Sequence, residues 1–446
     1  MPLVTVIVPM HNDQRTIAEA LRSVLAQTLS DWQLVVVDDG STDDSAAIAA
    51  DFAWRDPRIR VLRQVNQGAA AARNRGLREA AGRYIHFLDA DDWLLPRALA
   101  ALVEAAEWSG LGAACGSWTV HSGDGRALGV RMPVPGSIVG PEHFREGNRI
   151  APHSQIIRKT LLPAAPFDPS ERFVRDYDLW LRLAASGVRW SGIDETVAAY
   201  RVRRGSLSKN PGMMARTALG VLERHAGATE SARRSIALFY ATNAALDDDD
   251  PTQGAAHAML RENLGGPGVW TADELGRGAW WSLVFGHGLG PDDLGPAAGA
   301  WLPRARAWWT VLGMEDRLGE ALSALLQEAV QPDAVATRLL DTIPIGKRII
   351  DVVGAMGKNG RVIQRLARER GIAVRPRDDR LPGAAIEGPY EPGTLVVVAP
   401  LADQAMLPRL PVGVRVMRWA DARRSLATQL QARMPVEGAA RKAIGA

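Results

Sequence analysis

A single cysteine, Cys115, stands in 446 residues. That excludes an intramolecular disulfide and any multi-cysteine metal site, and its apolar flanks predict a buried thiol rather than a nucleophile. No apolar run reaches the roughly 18 residues a membrane span needs. The first residues carry no basic leader, so neither a signal nor a transit peptide is readable. The expectation is a cytoplasmic protein without a transmembrane segment, at most resting against the inner face of a membrane. Charge of one sign is also lacking. The 53 Lys and Arg against 50 Asp and Glu leave a formal +3, too weak a field to recruit nucleic acid. Local arginines such as Arg201, Arg203 and Arg204 leave phosphate or anionic-lipid contact open, with a solvated surface as the plainer reading. No segment repeats at a constant period. With 47% hydrophobic and 23% charged residues the composition is that of a soluble globular chain, too long for one core, and three units are expected.

What is present, from residue 3 to about 120, is an alternation of short β-branched runs with alanine-rich helical patterns, which predicts parallel strands joined by crossover helices. Strands are expected at 4–8, 33–37 and 59–62, with a fourth ending at residue 88. Helices are expected at 16–27, after Asp38-Asp39-Gly40-Ser41-Thr42-Asp43 with Ser41 or Thr42 as cap, and at 69–80. Polar clusters recur where the strands stop: residues 9–12, 38–42, 66–68 and 89–91. In an open parallel sheet those ends share one edge, where ligands bind. The most informative of them is Leu88-Asp89-Ala90-Asp91-Asp92. Three carboxylates with nothing basic beside them need a cation, and on an extended backbone Asp89 and Asp91 would face the same way, offering hard oxygens to one divalent ion. Further on, residues 173–183 read as a helix entered through acidic residues, whose apolar stripe would anchor Asp176 beside the cleft.

These elements, taken in order, resemble the family 2 glycosyltransferases. The residues that carry the resemblance are Val6-Ile7-Val8-Pro9-Met10-His11-Asn12, Val36-Val37-Asp38-Asp39-Gly40-Ser41-Thr42-Asp43, Asn66-Gln67-Gly68, Ala72-Arg73-Asn74-Arg75-Gly76-Leu77, Leu88-Asp89-Ala90-Asp91-Asp92 and Arg175-Asp176-Tyr177-Asp178-Leu179-Trp180-Leu181-Arg182. They span about 200 residues, the N-terminal half only. The resemblance implies an α/β GT-A nucleotide-sugar-binding fold with a Rossmann-like mixed sheet. It also implies donor contacts from Pro9, Met10, His11, Asn12, Asp39, Asn66, Gly68, Arg73, Asp89, Ala90 and Arg203. Asp39 would accept from the base imide, favouring uracil, and Arg73 would clamp the diphosphate. Asp91, with Asp89 near the ribose or the ion, would hold Mn²⁺ or Mg²⁺. Asp176 would be the catalytic base of an inverting transfer to a saccharide or lipid-linked acceptor. Three departures stand out: Arg175 where an acidic residue is common, Arg203 near a common histidine, and His11 for a common tyrosine. Phe167-Asp168 resembles the approach to the acceptor pocket, and residues 200–208 the loop over the donor. His153 carries no signal that separates it from a loop residue.

The domains expected are 1–215 for the GT-A unit, 216–344 for a helical region and 345–446 for a small Rossmann-like α/β unit. In the last, Gly354, Gly357 and Gly360 are spaced like a dinucleotide fingerprint, but Met356 stands where its second glycine belongs, so packing or partner contact is the plainer reading. The pairs Trp280-Trp281 and Trp308-Trp309 are read as core packing between helices. A catalytically silent nucleotide-sugar-binding scaffold is the alternative function. A nucleotidyltransferase would need a glycine-rich basic loop after the first strand, and Pro9-Met10-His11-Asn12-Asp13 is not one.

Overall fold

The structure, a computed structural model, describes residues 1–134, 136–145, 147–148, 150–171, 173–202, 211–225, 229–246, 270–294, 296–312, 317–329, 335–336, 340, 349–353, 358–369, 372–377, 395–398, 415–418, 421–423, 425–426 and 428. Chain contacts divide it into two compact units: residues 1–127, 131–268 and 285–288 in one, and 128–130, 269–284 and 289–446 in the other.

The first unit is built from β1 (Val4–Met10), α1 (Ile17–Leu25), β2 (Trp32–Asp38), α2 (Ser45–Arg55), β3 (Ile59–Arg63), α3 (Ala69–Glu79), β4 (Tyr84–Phe87), β5 (Trp93–Leu94), α4 (Ala98–Trp108) and β6 (Ala113–His121). It continues through the ends of β7 (Ala127–Met132), then β8 (Ile138–Val139), α5 (Pro141–Phe144), β9 (Gln155–Arg158), α6 (Arg175–Ala185), β10 (Trp190–Arg201), α7 (Pro211–His225) and α8 (Glu230–Leu246). Its sheet runs β3-β2-β1-β4-β9-β6-β10-β5 and is mixed, as the resemblance implies. β1 pairs in parallel with β2 and β4, and β6 with β10, while β9 is antiparallel to both β4 and β6. It follows that β1, β2, β3, β4, β6 and β10 all point one way. Their C-terminal ends share an edge, and β9 begins at that same edge.

All seven residues of β1 are buried, and the period of two divides them. Val4, Val6, Val8 and Met10 pack with Ile17, Leu21, Leu99 and Leu102 of α1 and α4, while Ile7 packs with Leu77, Phe87 and Phe167. The strand continues two residues beyond the stop that Pro9 suggests. Met10 O accepts the Asp39 N–H and Ile7 O the Leu88 N–H, so Pro9, like Ile7, turns its backbone toward β4, where the ladder has already ended at Phe87. The donor that proline lacks is not needed there. α2 begins at Ser45 rather than being capped by Ser41 or Thr42. Those two residues are occupied by Asn12, which donates its N–H to Ser41 Oγ and accepts the Thr42 N–H on its side chain.

The second unit holds most of α9 (Ala272–His287), then α10 (Ala298–Val311), α11 (Leu318–Ala329), β11 (Ile349–Val353), α12 (Lys358–Glu369), β12 (Ala373–Arg377), β13 (Leu395–Val398) and β14 (Arg415–Arg418). Its sheet, β12-β11-β13-β14, is parallel throughout. Trp280, Trp308 and Trp309 are buried, in keeping with core packing. Gly354, Met356 and Gly357 lie outside the described residues; Gly360 falls in the first turn of α12.

Candidate functional site

The strand ends bring the predicted polar clusters to one edge. At the ends of β1 and β2 they form a connected hydrogen-bond network. The partners of His11 assign its tautomer: Nδ1–H donates to Asp39 O at 3.0 Å, and Nε2 accepts from Asn66 Nδ2 at 3.1 Å. Asn12 occupies the left-handed region at φ 56, which asparagine tolerates. Asp39 is buried, and its carboxylate accepts from Gln64 Nε2 at 2.7 Å, the Gln67 N–H at 2.9 Å and the Gly68 N–H at 2.7 Å. Three of its roughly four acceptor positions are therefore taken from within, leaving one for a ligand donor. Gly68 caps α3 at φ 87, ψ 159, a conformation open only to glycine; a Cβ there would meet nothing, so the torsion alone requires it.

Along α3 the two residues that follow Ala72 have separate tasks. Asn74 clamps the backbone of Phe167, donating to its carbonyl at 2.7 Å and accepting its N–H at 3.0 Å. Arg73 lies over the Phe167 ring at 5.3 Å and is ion-paired with Asp89 through its terminal nitrogen. Its side chain is 7% exposed, against 31% for Asp89, so the arginine of this pair is buried and not part of a surface bridge. Arg73 Nε is buried with no hydrogen-bond partner among the described residues. Burial opposes ionisation of Asp89, but Arg73, helped by His153 and Arg175, holds its carboxyl below the usual range.

The acidic run departs from the sequence reading in one respect. β4 ends at Phe87, and the Asp92 N–H donates to Asp89 O at 3.1 Å, closing a turn over residues 89–92. Asp89 and Asp91 therefore lie in a turn and not on an extended strand, so the two-residue period, which holds only within the ladder, does not set their directions. Ala90 is buried within this turn. Hard carboxylate oxygens on Asp89 and Asp91 suit Mn²⁺ or Mg²⁺, ions that commonly take one or two protein carboxylates and complete their shells with phosphate and water. No group of three or more ligating side chains gathers among the described residues. A partly exposed Asp89 beside the unsatisfied Arg73 Nε fits such a shared arrangement.

Asp176 sits in the first turn of α6, whose Trp180 and Tyr177 hold the helix in place: Trp180 Nε1 donates to Ile150 O at 2.9 Å and Tyr177 OH to Phe144 O at 2.6 Å. The helix is entered through Val174 in the left-handed region at φ 44. For a β-branched residue this is strained, and its side chain packs against the core in exchange. Burial raises the Asp176 carboxyl, while donation from Asn148 Nδ2 at 2.6 Å and the nearby Arg73 pull it back. Arg175 donates to Glu171 O at 2.9 Å and adds to the positive field on Asp89. Arg203 lies outside the described residues.

Three contributors had no usable signal. His153, fully buried, places Nδ1 2.7 Å from Asp92 Oδ2. Asn148 reaches Asp176 from a loop. Arg201, read as part of a surface patch, is only 5% exposed. It donates its N–H to Asp92 Oδ1 at 2.8 Å and its Nε to Asp91 O at 2.9 Å. The plainer reading of Arg201 as solvated is thus overturned, because the end of β10 lies at the acidic edge. Cys115 is buried and its thiol is pushed up to about 12 by desolvation, as an inert core residue.

No helix among the described residues is long and apolar enough to cross a membrane. The family model for glycosyl transferase family 2 matches residues 5–162, which takes in the acidic turn and stops short of Asp176. Glycosyltransferase EpsJ of Bacillus subtilis (strain 168), uncharacterized, is 35% identical over 222 residues, 47% of this chain and 64% of EpsJ, so the chain spans somewhat less than two thirds of that relative. TuaG of the same strain, a glycosyltransferase provisionally assigned to teichuronic acid biosynthesis, is 31% identical over 210 residues, 47% of this chain and 82% of TuaG. Among solved structures, Staphylococcus aureus TarS 1–349 in complex with UDP aligns over 74% of this chain and 91% of that one, with 18% identity and a TM-score of 0.42. From the matched family model and a relative covered over most of its length, the chain belongs to the family 2 glycosyltransferases.

Proposed function

We propose that residues 1–215 transfer a sugar, with inversion, from a nucleoside diphosphate donor to a hydroxyl acceptor during polysaccharide or glycolipid assembly, the donor being a UDP-sugar. The observation that carries this reading is a raised, partly desolvated carboxylate, Asp176, within the field of an Arg73–Asp89 pair at the common strand edge.

The base lies against Pro9, Met10, His11 and Asn12 and gives its imide hydrogen to the acceptor position left on Asp39. The Asn66 and Gly68 turn borders it, and Ala90, small and buried, lets the donor approach the acidic turn. Arg73 presents a planar cation to the diphosphate, a role its unsatisfied Nε suits, and Arg203 adds positive charge. A divalent ion held by Asp91 with Asp89 would supply charge to offset the leaving diphosphate. Asp176 accepts the proton as the acceptor O–H bond breaks. The acceptor oxygen bonds to the anomeric carbon from the opposite face, and the carbon–oxygen bond to phosphate breaks with its electron pair leaving on the diphosphate. A raised carboxyl is the better base for this, since its affinity for the proton lies nearer the working pH.

The test is a scan of nucleotide sugars for Mn²⁺-dependent hydrolysis and transfer by the purified chain, with the anomer of the product read by NMR. UDP-sugar turnover with inversion is expected. Binding of UDP and Mn²⁺ without turnover on any donor and acceptor would make the protein a scaffold, and turnover with retention would remove Asp176 as a base.

A further inference from the structure

We propose that Asp92, His153 and Arg201 form a buried latch that sets the position of the Asp89–Asp91 turn and, through it, the affinity of that turn for a divalent ion. The inference rests on reading the turn as the ion and diphosphate site. All three side chains are buried and engage one another and the backbone of the turn, so they act on its backbone and flank.

A four-residue turn at the end of a strand has little to hold it. Its own hydrogen bond, Asp92 N–H to Asp89 O, joins only its two ends, and Arg73 holds the Asp89 side chain. Here it is fastened on two sides. The Asp92 side chain is wholly buried, with one oxygen 2.7 Å from His153 Nδ1 and the other accepting the Arg201 N–H at 2.8 Å. Arg201 then reaches over the turn, donating Nε to Asp91 O at 2.9 Å and a terminal nitrogen to Gly123 O at 3.1 Å. Its guanidinium also pairs with Glu19 of α1 and lies 4.8 Å from the Trp93 ring centroid. His153 is fixed in turn, stacked on Tyr200 at 5.5 Å and edge-on to Trp118 at 5.6 Å. The segment just before β9 and the end of β10 therefore converge on the residue beside the proposed metal ligand, with α1 holding Arg201 through Glu19.

A buried histidine–carboxylate pair is a poor way to gain stability, because desolvation consumes most of what the contact returns, and apolar side chains of similar volume often serve as well. What such a pair does supply is a fixed direction. Partners that orient carboxylates around an ion are typically worth about 10- to 100-fold in metal affinity or activity. The latch belongs to that class of contact.

The experiment compares the wild-type chain with Asp92→Asn, His153→Gln and Arg201→Lys. Mn²⁺ binding in the presence of UDP is followed by loss of the free-ion EPR signal, beside thermal melting and the Mn²⁺ dependence of UDP-sugar hydrolysis. Asp92→Asn keeps volume and an acceptor for the Arg201 N–H, so it carries the test should His153→Gln fail to fold. The expected result is a Mn²⁺ midpoint raised about 10- to 100-fold in both binding and hydrolysis, at a temperature where each variant is folded. A lower melting temperature with an unchanged Mn²⁺ midpoint would assign the trio to stability alone and overturn the latch. Wild type that binds no Mn²⁺ with UDP would overturn the reading of the site itself, and the latch with it.

Discussion

Replacing Asp176 by asparagine separates chemistry from folding more cleanly than any other change at this edge. The side chain keeps its shape, and its amide oxygen can still accept from Asn148 Nδ2, which now stands 2.6 Å from Oδ2. What disappears is the ability to take a proton. General-base assistance contributes about 10²- to 10⁴-fold, so kcat should fall by that factor, equivalent to about 3–5 kcal/mol of barrier. Stability should move the other way. The folded protein holds the Asp176 carboxyl above its unfolded value, chiefly through burial. Its contribution to stability is therefore full below the unfolded pKa and is lost as pH rises through the folded one. At neutral pH the ionised group costs the fold something, and a neutral amide removes that cost. The expected outcome in a purified assay is a kcat lower by at least about a hundredfold, unchanged UDP affinity by calorimetry, and a melting temperature equal to or above wild type. Undiminished kcat, or a loss matched by weaker UDP binding and early melting, would refute the assignment of Asp176 as base.

Asn148→Ala removes a donor that lowers the Asp176 carboxyl, so the acidic limb of the kcat–pH profile should move to higher pH while the plateau above it stays near wild type; an unmoved limb counts against the contact. Chelation with EDTA should abolish transfer and Mn²⁺ or Mg²⁺ should restore it, and full activity after dialysis against chelator would remove Asp91 and Asp89 from ion binding. Gly76→Ala would set a Cβ 2.4 Å from Ile7 Cγ2, an overpacking between α3 and β1 expected to cost about 1–3 kcal/mol in urea unfolding; a change within error would mean that α3 can shift freely. Cys115, buried with its thiol raised to about 12, should resist a thiol reagent in the native protein and react once unfolded, and rapid native labelling would contradict its burial.

Much of the first unit was legible because strands buried on both faces leave near-continuous apolar runs, such as Val4–Met10 and Trp32–Asp38, and crossover helices leave a one-sided stripe, as in Ile17–Leu25. The polar edge was legible too, since polar residues placed after each strand must meet at one edge when the strands are parallel. Asp39, Arg73, Asp89, Asp91 and Asp176 were named from their motifs alone. The form of the acidic run was not, because a period of two predicts side-chain direction only while the ladder lasts, and here the ladder stops at Phe87.

Sequence alone therefore determined the strand and helix alternation, the polar edge and the residue types gathered there, all of which depend on neighbours within a few positions. Tertiary structure decided how those residues are held. Whether Arg201 faces solvent or fastens Asp92, and whether His153 is a loop residue or a buried partner, depends on β9 running against β4 and β10 running with β6. Those pairings join segments distant along the chain, and no local pattern of hydrophobicity or charge encodes which distant carboxylate a buried histidine will meet.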